Sequence, residues 1–179
     1  MLSCLLVSLV EPLVAQELVS ATSGDPRVVS AIRGRFGIVE RKLPTYDIVE
    51  HDLRGFSTEG GTLRGYFDGS QLQKVTARFF GETGRATEEF YFANGEPVFV
   101  YRVDERYDRP LSGRVVRRVA TRYYLSRGQI LRRVRVPTRS DDDDDPWQSV
   151  DELRRDALLL ARCARATTSD PKECVAPDA

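Results

Sequence analysis

The apolar positions of this chain change period twice. From Pro26 to Leu43 they fall at Val29, Ile32, Phe36, Val39 and Leu43, steps of three and four that line one face of a helix. Asp25 ahead of Pro26 supplies a cap and a proline at the first helical position. Gly34 and Gly37 each cost about 1 kcal/mol relative to alanine inside a helix, so this helix leans on what it packs against. From Thr62 to about Val136 the period is two. It predicts strands at Thr62–Phe67, Leu72–Phe80, Ala86–Phe92, Val98–Val103, Val115–Leu125 and Gln129–Val136. Helical spacing then returns over residues 147–166, through Val150, Leu153, Ala157, Leu158 and Ala161.

The junctions between strands carry turn chemistry. They are Asp68-Gly69, Gly81-Glu82-Thr83-Gly84, Asn94-Gly95 and Ser126-Arg127-Gly128. Asn-Gly between apolar runs is a strong hairpin signal, because both central residues of a type I′ turn need positive φ. Only Asp104–Gly113, which holds Pro110, is a longer connection. The expected fold is α+β: an N-terminal helix, a roughly six-stranded antiparallel meander over residues 62–136, and a C-terminal helix packed on one face.

Three stretches echo one another: "GYFDGSQLQKV", "FYFANGEPVFV" and "RYYLSRGQILRRV". Each sets two aromatics just before a glycine turn and an aliphatic strand just after it. The glycines are spaced unevenly, 26 residues from Gly69 to Gly95 and 33 from Gly95 to Gly128, which fits hairpins in one sheet better than a solenoid. Over residues 57–134 the chain resembles small exported bacterial proteins of unknown function that carry tyrosine-rich YYFxNGxL hairpins. More distantly it is similar to the MORN-type hairpins of some bacterial antitoxin-like proteins. That resemblance implies a β-sheet and export, and it brings no catalytic residues.

Alternation also sorts side chains by face. With the more apolar side inward, the core takes Leu63, Phe67, Val75, Ala77, Phe79, Phe90, Phe92, Phe99, Tyr101, Val119, Tyr123, Leu125, Ile130 and Val134. The other side then takes Arg64, Tyr66, Lys74, Arg78, Arg102, Arg118, Arg122, Tyr124, Arg133 and Arg135. Such a face suits a solvated antiparallel sheet shielded by arginine stems. It also suits a binding surface for acidic groups, and Arg118, Arg122, Arg133, Arg135, Tyr66 and Tyr124 are its candidate contact residues.

Charge and the two ends refine this. The chain has 179 residues with 27 basic and 27 acidic side chains, so one domain is expected and no net field draws it to nucleic acid. Residues 1–15, within "MLSCLLVSLVEPLVAQE", read as a secretory signal, leaving a single domain over 16–179 in the periplasm or outside the cell. The apolar run is too short for a bilayer span. In an oxidising compartment Cys163 and Cys174 are expected to form a disulfide. Asp141–Asp145 sit in an acidic linker, residues 140–146, that could fold back over the arginines.

No catalytic motif accompanies these features. His51, the only histidine, lies between Glu50 and Asp52 without a nucleophile nearby in sequence, and two cysteines alone make no metal site. Glu82, Glu88 and Glu89 could supply paired carboxylates, but Glu88 and Glu89 alternate across a strand. No cofactor is implied. The expectation is an exported, non-enzymatic binding module for an acidic protein or polyanion. The alternative is a small exported hydrolase with carboxylate chemistry.

Overall fold

A computed structural model describes residues 25–138 and 148–166. Helix α1 (Pro26–Lys42) opens under the Asp25 cap, whose carboxylate accepts from the Arg27 amide at 2.9 Å. A short 3-10 turn at Leu43–Thr45 leads into seven strands: β1 (Asp47–Leu53), β2 (Gly61–Asp68), β3 (Gln71–Gly81), β4 (Gly84–Ala93), β5 (Glu96–Tyr107), β6 (Val115–Ser126) and β7 (Gln129–Thr138). They pair in sequence order as one antiparallel meander. Helix α2 (Val150–Arg165) follows, and Ser149 and Glu152 close a capping box at its start. Among the described residues no helix is long and apolar enough to cross a membrane.

The sheet has seven strands rather than six. The extra one is β1, whose Ile48, Glu50 and Asp52 alternate with Val49, His51 and Leu53. Most of its side chains are exposed or half-buried, so its alternation carries no apolar stripe by which to recognise it.

Both faces of the sheet carry a core. On one, Leu153, Ala157, Leu160, Ala161 and Ala164 of α2 cluster with Leu63, Val75, Phe90, Val100 and Tyr123 of the strands. On the other, Val29, Ile32 and Val39 of α1 cluster with Tyr91, Phe99, Tyr124 and Val134. The approach of α2 is set by Gly65 of β2, since a Cβ there would stand 2.7 Å from the Ala164 Cβ.

The three echoed stretches are three hairpins that share one bulge pattern, although at the Gly69-Ser70 turn only Gly69 has positive φ. In each, a two-residue turn is followed by two paired positions and then one unpaired residue on the returning strand: Gln73, Val98 and Leu131. Asn94-Gly95 and Arg127-Gly128 have positive φ at both central positions, as a type I′ turn requires. Each single-residue bulge inverts the alternation that follows it.

That inversion corrects several face assignments. Phe99 and Tyr101, beyond the Val98 bulge, point to the α1 side, and so does Val134, beyond the Leu131 bulge. Arg102 lies across from Glu88 on the α2 side. Arg133 and Arg135 stand opposite Tyr123 and Thr121, also on the α2 side. The ten polar residues therefore do not share one face.

Candidate functional site

Of the six expected contact residues, Tyr66, Tyr124, Arg118 and Arg122 do share the α1 side. The register places Tyr66, Lys74, Tyr91, Phe99, Tyr124 and Arg132 in one row across strands β2 to β7. Three of these are the hairpin tyrosines, one from each echoed stretch. Helix α1 packs against this row. Phe36 meets the rings of Tyr91 and Phe99 edge-on, with centroids 5.0 and 5.2 Å away.

Polar contacts reinforce that packing. Lys74 is buried, and its ammonium lies 2.8 Å from Glu40 Oε1 of α1 and 3.2 Å from Glu89 Oε2 of β4. The Tyr91 hydroxyl lies 2.6 and 2.8 Å from the same two carboxylates, which share its single proton. Burial, followed by the Glu89 carboxylate, holds that phenol far above its ordinary range, so it remains a donor. Arg35 donates to the Phe92 carbonyl and to Gln73, and Arg33 donates to the Tyr124 hydroxyl at 3.3 Å. Tyr66 and Tyr124 thus serve the seat of α1, and Tyr124 is only 4% exposed.

The end of this face away from the hairpin turns is different. Arg64 faces Glu50, with its Nε 2.7 Å from the carboxylate. Glu105 lies between Arg85 and Arg118, paired with both. Arg122 stacks over the Tyr101 ring at 5.9 Å. The Arg64 and Arg118 side chains remain 54% and 47% exposed, and Arg78 is exposed as well.

The α2 side carries a group of charges that the sequence did not assemble. His51, Leu63, Ala77, Glu88, Arg102, Thr121 and Arg135 form one row across the sheet. Arg102 donates to Glu88 at 2.7 Å and to both oxygens of Asp104 at 2.8–3.0 Å. Glu88 is buried, and burial pushes its carboxyl up to about 7 against the pull of Arg102, with Asp156 and Asp104 adding to the rise. Desolvation raises Asp156 of α2 too. Glu88, Arg102 and Asp156 edge a cleft of about 400 Å³ between α2 and the sheet. The signal that could have found it is the pairing of Glu88 with Arg102, and that pairing follows from the bulge at Val98.

Glu88 and Glu89 fall on opposite faces, and Glu82 stands exposed in the β3–β4 turn, so these three share no cleft. Glu88 and Asp104 do share a face, and both are held by the Arg102 guanidinium. His51 sits on edge strand β1 opposite Leu63, and its Nε2 is buried without a hydrogen-bond partner. Among the described residues no group of three or more His, Cys, Asp or Glu could hold a metal ion. Cys163 is fully buried in the α2 core. Its expected partner Cys174, the Asp141–Asp145 run and the expected signal segment all lie outside the described residues. Comparison of the chain with protein-family models, curated proteins and solved structures found no match.

Proposed function

We propose that this chain is the binding module of an exported protein, without chemistry of its own, and that it takes an acidic protein or a polyanionic polymer. The contact surface is the α1-side face at the end away from the hairpin turns. One observation carries the reading. Arg64, Arg78, Arg85, Arg118 and Arg122, from four strands, share that face with four carboxylates, Glu50, Asp52, Glu89 and Glu105, and Glu89 is taken up by Lys74. Guanidinium forks held on rigid strands suit bidentate recognition of carboxylate, sulfate or phosphate groups. Tyr101 beneath Arg122 adds a flat apolar contact within the patch. Of the arginines that alternation alone placed on one face, Arg64, Arg78, Arg118 and Arg122 stay, Arg85 joins them, and Arg102, Arg133 and Arg135 drop out.

The test is retention of the purified chain on an anionic matrix. The triple variant Arg78→Gln, Arg118→Gln, Arg122→Gln should lose retention at low salt while keeping its far-UV spectrum. Retention of the parent should fall steeply between low and physiological salt, where the screening length shortens to about 8 Å. Unchanged elution of a folded triple variant would remove this surface from consideration.

A further inference from the structure

The cleft beside α2 has two unlike walls. One is apolar: Phe56, Phe79, Leu159 and Leu160 line it, and the Phe56 and Phe79 rings stand 6.3 Å apart between centroids. The other is charged: Glu88 and Arg102 from the sheet, Arg155 and Asp156 from α2, with Asp104 behind them bonded to Arg102. The lining sets two carboxylates against two guanidiniums, and Asp104, outside the cleft but bonded to Arg102, makes the immediate surroundings of Glu88 negative on balance. Gln148, just ahead of α2, lines the same cleft, and its Oε1 is buried with no hydrogen-bond donor. A buried acceptor without a donor costs about 1–3 kcal/mol, and nothing in the α2 start requires it, because Ser149 and Glu152 already cap the helix.

We propose that this cleft binds a small organic cation, with a primary ammonium head on an aromatic or aliphatic body. The body lies against the apolar wall of Phe56, Phe79, Leu159 and Leu160. The head turns toward Glu88 and Gln148, whose oxygens accept from it. An anion meets the surplus carboxylates and is rejected. A neutral alcohol can satisfy Gln148 but leaves the charge surplus in place. Near neutral pH the protein relieves that surplus by holding a proton on Glu88, which burial raises to about 7, and a bound ammonium takes over the role of that proton. Binding therefore strengthens as Glu88 ionises, in the field of Arg102 and Asp104 from β5 and of Arg155 and Asp156 from α2.

The experiment is an NMR titration of the full chain with three matched probes: phenethylamine, 2-phenylethanol and phenylacetate. The amine should give saturable shifts centred on Phe56, Phe79, Glu88 and Gln148. At pH 8 it should bind about tenfold or more tighter than the alcohol, a difference of about 1.4 kcal/mol, and the acid should not bind. Lowering the pH from 8 to 6 should weaken the amine and leave the alcohol unchanged. Glu88→Gln should remove the preference for the amine, and Asp156→Asn, on the surface of α2, should reduce it by a smaller factor. Phe56→Ala should weaken amine and alcohol together. The proposal is overturned if the alcohol or the acid binds as tightly as the amine, if no probe gives saturable shifts, or if the amine's affinity is the same at pH 6 and pH 8.

Discussion

Glu88→Gln isolates the cost of keeping a carboxylate under α2. In the folded chain the Glu88 carboxyl is pushed up to about 7, chiefly by burial, from an ordinary value of 4.5. The folded state thus holds the proton more tightly than the unfolded state. The associated stability is fully present below 4.5, is lost as the pH rises toward 7, and changes no further above that. The distance between the two values corresponds to roughly 3 kcal/mol, a large share of the 5–15 kcal/mol that holds a typical domain together. Glutamine keeps the shape and can still accept from Arg102, which retains Asp104 through its Nε and Nη2 contacts. Urea unfolding of parent and variant at pH 5, 6, 7 and 8 reads the effect. The two proteins should have similar stability at the acid end, and by pH 8 the variant should be the more stable by roughly 3 kcal/mol. Asp108 and Glu152 do not confuse the comparison. Their carboxyls are lowered by hydrogen bonds, from Ser112 and from the Ser149 amide respectively, so what they contribute is lost only at more acid pH, and equally in both proteins. A constant difference between parent and variant from pH 5 to 8 would refute the assignment of Glu88 as the buried titrating group.

Other perturbations test the packing on each face. Gly65→Ala drives a Cβ against Ala164 and should cost about 1–3 kcal/mol by overpacking. Adding Ala164→Gly should recover part of that loss, and strictly additive effects in urea unfolding would mean α2 is not seated on β2. Lys74→Met strips the cation from between Glu40 and Glu89 and should cost about 2–3 kcal/mol, less than a fully buried pair because both carboxylates keep some solvent. Glu89→Gln on that background should restore stability, and failure to do so would refute the like-charge explanation. Gly95 has φ +82°, so Gly95→Val should destabilise by roughly 2 kcal/mol through backbone strain alone, its Cβ having open space; an unchanged melting temperature would refute that. Intact mass before and after alkylation without reductant checks the expected Cys163–Cys174 bridge, and two alkylated thiols in the native protein would exclude it.

The sequence by itself determined the elements whose causes are local. Asp25-Pro26 marks where the first helix starts, because capping is a matter of a few adjacent residues. Asn94-Gly95 and Gly128 mark hairpin turns, because positive φ is a property of single positions. Three other decisions belonged to the tertiary structure. Strand β1 holds its place by pairing with β2, and its own residues bury too little to announce a strand. The bulges at Gln73, Val98 and Leu131 recur at one place in three hairpins. One extra residue leaves composition and periodicity nearly unchanged and yet reverses every side chain beyond it. That reversal moved Arg133 and Arg135 away from Arg118 and Arg122, and it brought Arg102 to Glu88. Lastly, α1 lies on the face that alternation alone assigned to solvent. Its apolar stripe finds the hairpin tyrosines because Tyr66, Tyr91 and Tyr124 line up only once the strands are in register. Register sums over many weak cross-strand contacts, and no window of adjacent residues contains that sum.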